Sequence, residues 1–340
     1  MILMDEKELI SPNGRPFFGF YKSPLRRLNS EKLRCYGNSK LSALNNKLIR
    51  LFRLKRWQYL GICTEEFVFG LAVVDLGYLS NMFCYIFDRK ENHLSEYDRI
   101  QPLGLNTRME GSSAAGTVYF KAKDTIVKIE NKDAEISLNL SIDNDCSGEV
   151  FFNKYQEPLS LITRVGKNGF NYTHKEAGIP VRGLFQFKGN RYEAGIHSSY
   201  GVLDYTFGYL SRDTFWNWAA GGGIDDDNRR IGFNLVAGIN ETGFTENAFW
   251  INGKIFKADV VDFRYDDLNL SSPWKIVSND GKVDMTFYPE GERKSNINAG
   301  LILSRFHQPF GRFEGYLKEG DAMVKIKRAI GFTEEHEAKW

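Results

Sequence analysis

The chain has 340 residues, more than one hydrophobic core usually grows to, so two domains of about 150 to 170 residues are expected. Lys and Arg number 45 against 43 Asp and Glu, and the basic residues are scattered, which excludes the electrostatic footprint of a nucleic-acid binder. Aromatic residues make up 14% of the sequence, with 26 Phe among them, and favour strands over helices.

Residues 1–30 mix apolar pairs with Pro12, Pro16 and Pro24, a pattern that blocks regular helix and predicts an extended arm laid along something else. The first ten residues carry acids where a secretion signal needs a basic and then an apolar run, and no apolar run of about 18 residues occurs anywhere. A cytoplasmic protein without stable membrane insertion is expected. Cys35, Cys63, Cys84 and Cys146 lie far apart, without metal-binding spacing, and read as buried thiols. Over 39–54 the residues Leu41, Leu44, Leu48, Leu51 and Phe52 recur at helical spacing and predict one amphipathic helix.

From Arg56 onward the pattern is that of strands. Runs at 57–64, 67–75, 78–88, 118–122, 125–130 and 135–142 are rich in aromatic and branched residues and end in polar breaks. Residues 149–165 supply further strands and end the first domain or bridge to the second, which divides the chain into 1–165 and 166–340. Later runs flank clear turn chemistry: Lys188-Gly189-Asn190, Asn252-Gly253, Asn279-Asp280-Gly281 and Glu319-Gly320-Asp321. Asn252-Gly253 is the strongest of these, because both central residues of such a hairpin take positive φ. Without helices between the strands, a parallel α/β sheet is excluded, and closed up-and-down barrels or a sandwich are left.

Taken in order, several segments resemble the bacterial family known as domain of unknown function 2804. They are RWQYLGICT, VVDLGYLSNMFCYIFD, HKEAGIPVRG, WNWAAGGG, GFNLVAGINETGFTENAFWINGK and the closing FGRFEGYLKEGDAMVKIKRAIGFTEEHEAKW. More distantly, 183–253 is similar to the carotenoid-hydratase-like proteins, which are lipocalin-like and carry two barrels. That resemblance implies an all-β fold of two lipocalin-like, calycin-like antiparallel barrels packed together, here with the N-terminal arm and one helix. It also implies apolar ligands and, in some members, cofactor-free hydration or cyclisation between the barrels. Asp204 falls at that group's Asp and Trp216 and Trp218 at its tryptophan pair, while Tyr205 and Thr206 stand where a His or Arg and then a Glu usually follow.

The candidate chemistry gathers in 200–262, which holds three of the six tryptophans, the Gly221-Gly222-Gly223 run and Asp204 between apolar neighbours. The glycine run suggests tight turns against bulky apolar surface. An inward-pointing Asp204 would be a desolvated acid able to protonate a double bond, against the alternative of an outward or turn-bonded residue. Glu176, in the run His174-Lys175-Glu176, is a second candidate acid or base, against a solvated ion-pair cluster. Trp216 and Trp218 lie two apart and share a side, either plugging a barrel or stacking on a ligand. Arg212, Asn234 and Glu246 are candidate polar groups of the same pocket, with Asn234 sharing the face of Gly232 and Val236.

No cofactor and no metal site is expected. The glycine run lacks the Lys-Ser/Thr of a phosphate cradle, and the five histidines are scattered. The run from Asp143 has Lys154 at the position where a calcium loop needs Glu, and Asp225, Asp226 and Asp227 read as solvent-exposed acids. The first expectation is a binding protein for a hydrophobic small molecule, a lipid or isoprenoid, in a barrel or inter-barrel pocket. The alternative is a cofactor-independent hydratase, isomerase or cyclase using Asp204, and a third is a scaffold whose protein partner meets residues 1–30.

Overall fold

A group of strands buried on both faces decides the architecture, because such strands must be covered twice. The structure is a computed structural model that describes residues 3–5, 7–33, 51–167, 169–239, 243–298 and 303–340. Two sheets of fifteen and nine strands, antiparallel except where Leu3–Met4 pairs with Gly19–Tyr21, make a nearly closed barrel and a half-barrel packed against it. The expected all-β pair of lipocalin-like barrels is the fold found.

In the first sheet, Phe67–Asp75, Leu54–Cys63, Tyr200–Tyr209 and Gly169–Phe187 lie side by side in that order. Its ends approach where Gln101 donates to the Lys121 carbonyl at 2.6 Å and Ser80 meets the Thr107 hydroxyl at 2.5 Å. In the second, Ala248–Ile251, Arg230–Ala237, Asp213–Asp225, Ala322–Lys339 and Leu303–Glu319 are neighbours. The chain changes sheet between Tyr209 and Asp213. The strands Gly169–Phe187, Asn190–Ala194 and Tyr200–Tyr209, expected in the second domain, pair in the first sheet instead. Leu159–Val165 and Gly169–Phe187 form one hairpin across the expected boundary at 165/166, and this pairing holds them together.

The arm runs as expected against the first barrel. Gly19–Tyr21 pairs with Leu159–Val165, and Leu9, Ile10 and Leu25 are buried in that barrel's core. The backbone N–H of Leu25 is satisfied by the Tyr172 hydroxyl at 2.9 Å. The helix expected over 39–54 lies outside the described residues except at its end, where 51–53 are helical and Leu54 already begins a strand. Cys63, Cys84 and Cys146 are buried free thiols. Asn252 and Gly253 take φ of 47° and 84°, the hairpin conformation their sequence demands.

Each strand of the seam sends alternate residues to different cores. From Tyr200–Tyr209, Leu203, Tyr205 and Phe207 enter the first barrel, while Tyr200 and Val202 face the second sheet. From Arg230–Ala237, Ile231, Phe233 and Leu235 fill the half-barrel, while Val236 faces back across the seam.

Gly221, Gly222 and Gly223 do not form the expected turn; they lie within the strand Asp213–Asp225, none with positive φ. Their role is close approach. A Cβ on Gly222 would stand 2.8 Å from Tyr200 Cβ and 3.1 Å from Gly178 Cα, and one on Gly232 only 2.1 Å from the Ala177 carbonyl oxygen. Gly178, at φ 75°, sits at the register shift between Ala177 and Ile179, so the first barrel presents bare backbone to the second. The strand glycine Gly232 thus fills a contact that any side chain would force apart. Gly232→Ala is expected to destabilise by about 1–3 kcal/mol, the cost of overpacking, whereas relief of glycine's unfolded-state entropy alone would stabilise. The shift of the urea midpoint gives the sign.

Candidate functional site

A cavity of about 130 Å³ lies in the seam, walled by both sheets. It is close in size to an engineered apolar cavity that holds a benzene ring. Backbone register builds it. Asp204 is directly opposite Tyr59 on one side and Lys175 on the other, and Thr206 is opposite Trp57. Across the seam Trp216 is opposite His336 and Trp218 is opposite Glu334. Directly opposed residues have their Cβ atoms about 4.5–5.5 Å apart, so each wall is a preset cluster.

The first wall carries an ionic triad. Lys175 Nζ lies 3.4 Å from Asp204 Oδ1 and 3.1 Å from Glu246 Oε2, and all three side chains are at most 7% exposed. Trp57 Nε1 donates to Asp204 Oδ2 at 3.1 Å, and Asn171 Nδ2 to Glu246 Oε1 at 3.3 Å. Burial pulls the Lys175 ammonium down, but Asp204 and Glu246 outweigh it and hold it above its usual range. Its Nζ also sits 5.0 Å over the Trp218 ring.

The second wall centres on Glu334, a buried carboxylate. It accepts from Trp216 Nε1 at 2.7 Å and from Gln308 Nε2 at 3.1 Å, with His336 Nδ1 at 3.7 Å. The other imidazole nitrogen, Nε2, meets the Ser304 hydroxyl at 2.9 Å. Aromatic rings complete the space. Trp340 lies 6.4 Å from Trp57 and 6.1 Å from Trp216, and the Tyr59 hydroxyl, whose ionisation burial opposes, pairs with Tyr85 at 2.8 Å.

Of the residues singled out from sequence, Asp204, Trp216, Trp218 and Glu246 line this cavity. Trp216 and Trp218 share one face, as expected, but that face looks onto the seam and plugs neither barrel. Asn234 stands behind Trp218: it accepts the indole N–H at 2.8 Å and donates to the Glu246 carbonyl at 2.7 Å. Asp204 is not the isolated acid expected, because the register sets Lys175 beside it.

Glu176 is elsewhere. It is one residue from Lys175 and so points to the opposite face, buried against His174, Nε2 to Oε1 at 2.9 Å. Burial lowers the His174 pKa despite that carboxylate. Arg212 is exposed beyond the strand end, its carbonyl accepting from the Trp340 backbone N–H at 3.1 Å. Asp225, expected in solvent, is 1% exposed; its carboxylate accepts from the backbone N–H groups of Asp227 and Arg229 and from Arg229 Nε.

Trp57, Lys175, Glu334, His336 and Trp340 were not read as site residues from the sequence. The usable signal was parity. Glu334 and His336 continue the face of Ile330 and Phe332, both apolar and buried. Among the described residues no group of three or more His, Cys, Asp or Glu is placed to hold a metal ion, and no helix is long and apolar enough to cross a membrane.

The triad generates a stability expectation. Removing Lys175 strands two buried carboxylates, so Lys175→Met should cost about 3–5 kcal/mol, while Lys175→Met combined with Asp204→Asn and Glu246→Gln should recover most of it. Urea unfolding at neutral pH compares the two. Because the folded pKa of Lys175 lies above the ordinary 10.5, its contribution is complete below that pH and is lost only as pH rises through the higher folded value.

Comparison with solved structures shows the same architecture at low identity. CghA in complex with Sch210972 superposes with a TM-score of 0.57 at 8% identity, covering 84% of this chain and 88% of that one. A protein assigned as AttH from Nitrosomonas europaea gives 0.57 at 12%, covering 89% and 98%. Kievitone hydratase from Nectria haematococca gives 0.54 at 13%, covering 83% and 88%. No protein of curated function matches the sequence. Residues 2–340 match the family described as domain of unknown function (DUF2804), and the chain belongs to that family.

Proposed function

We propose that the seam cavity is an active site for cofactor-independent acid–base chemistry, such as hydration, isomerisation or cyclisation, on a largely apolar small molecule. The observation that carries this reading is the Asp204–Lys175–Glu246 triad set into an aromatic cavity. Buried ion pairs are seldom the cheapest way to stabilise a core, since apolar residues of equal volume do as well or better. A triad at a cavity wall therefore has a use beyond packing.

The chemical roles follow from geometry. A substrate between the walls meets Asp204 and Lys175 on one side and Glu334 with His336 on the other, so proton delivery and proton removal can come from opposite faces. The indoles exclude water and give flat apolar surface. The architecture supports the reading: one similar structure is by name a hydratase, and another, CghA, holds a bound small molecule.

Carriage of an apolar ligand without turnover is the second reading, favoured by the apolar lining. A panel of isoprenoid alcohols and prenylated phenols incubated with the protein in D₂O separates the two. Acid–base turnover puts deuterium into recovered substrate or product, and Asp204→Asn and Glu334→Gln should each slow it by about 10²–10⁴-fold. A ligand retained in native mass spectra with no deuterium incorporated would leave only carriage.

A further inference from the structure

The indoles and carboxylates of the cavity are paired in a way that proton transfer alone does not require. On the first wall Trp57 donates its N–H to Asp204 at 3.1 Å; on the second Trp216 donates to Glu334 at 2.7 Å. Trp340 stands between them, with ring centroids 6.4 and 6.1 Å away. An N–H donated to an anion pushes electron density into the ring, and the negative face of an indole is already the strongest aromatic acceptor for a cation.

The charges point the same way. The lining holds three carboxylates, Asp204, Glu246 and Glu334, and one ammonium, Lys175, while Lys257 outside the lining also acts electrostatically on Glu246. Lys175 lies within ion-pair reach of both Asp204 and Glu246. Among the described residues, the one cationic group within 4 Å of Glu334 is the His336 imidazole, at 3.7 Å. An anionic head group here would face carboxylates on both walls, and a neutral one would leave Glu334 with Trp216, Gln308 and the His336 imidazole as its partners.

We infer that the substrate's buried end is an organic cation, an alkylated ammonium on an apolar body, seated among Trp57, Trp216 and Trp340 with Glu334 as counter-ion. This rests on the seam cavity being the substrate site. The aromatic rings replace the weak hydration shell of the alkylated nitrogen, and Glu334 supplies the charge that a hydrocarbon cannot use.

Two isosteres of the same shape test it. Benzyltrimethylammonium and (2,2-dimethylpropyl)benzene differ only in nitrogen for carbon and one positive charge, and both are titrated by indole fluorescence and calorimetry at low salt. The cation should bind about 10-fold tighter or more. Glu334→Gln should erase that preference while leaving the hydrocarbon within about twofold, and Trp340→Ala should weaken the cation by about 10-fold. Circular dichroism checks that each variant is folded, and the wild-type comparison stands without them. Equal or tighter binding of the hydrocarbon overturns the inference and leaves the cavity as the site. Binding of neither at millimolar concentration overturns both.

Discussion

Burial of the seam strands on both faces is the constraint from which the site follows. Every residue of Tyr200–Tyr209 is buried, with Leu203, Tyr205 and Phe207 in one core and Val202, Asp204 and Thr206 at the seam. A strand of this kind has no solvated side on which to leave a charge. Asp204 is tolerable because Lys175 stands opposite it on one neighbouring strand and Trp57, opposite Thr206 on the other, donates it an N–H. The packing requirement and the chemical grouping are the same fact seen twice.

The seam is also uneven along its length, and the residues set its width. On Asp213–Asp225, Trp216 and Trp218 hold the sheets apart around the cavity, and four residues further Gly222 meets Gly178 at backbone distance. Bulky and absent side chains on a single strand face therefore open one end and clamp the other. Large aromatics beside glycines are what such a wedge looks like in sequence.

This explains what could be read before the fold was known. Strand runs, the Asn252-Gly253 hairpin and the shared side of Trp216 and Trp218 depend on local chemistry and parity, and these came through. The choice of Glu176 over Lys175 did not, because adjacent residues of a strand buried on both sides look equally enclosed in sequence. Only the neighbouring strands tell which of the two faces the seam. Glu334, His336 and Trp340 sit in a run, Thr333 to Trp340, whose charge density imitates a solvated edge. Their enclosure comes from residues distant in sequence, Trp216, Gln308 and Ser304 in their own sheet and Trp57 across the seam, about which the local pattern carries no information. The glycine run read as a turn for a similar reason: glycine serves turns and close approaches alike, and the partner backbone lies in the other sheet.

A lipocalin-like resemblance directs attention to the barrel lumen, and in the first barrel that region is packed with side chains. Phe69 and Phe185 stack at 4.4 Å inside the first barrel, and Leu9, Ile10 and Leu25 of the arm add to the same core. The cavity lies instead in the seam, where the two sheets supply one wall each. The inward residues of a strand hold its own barrel together, and the outward residues alone meet the cavity. Substitutions on the outward set change the cavity walls without touching the side chains inside either barrel, provided each buried charge keeps its partner. That separation is why the site here is defined by parity and pairing and not by a contiguous motif.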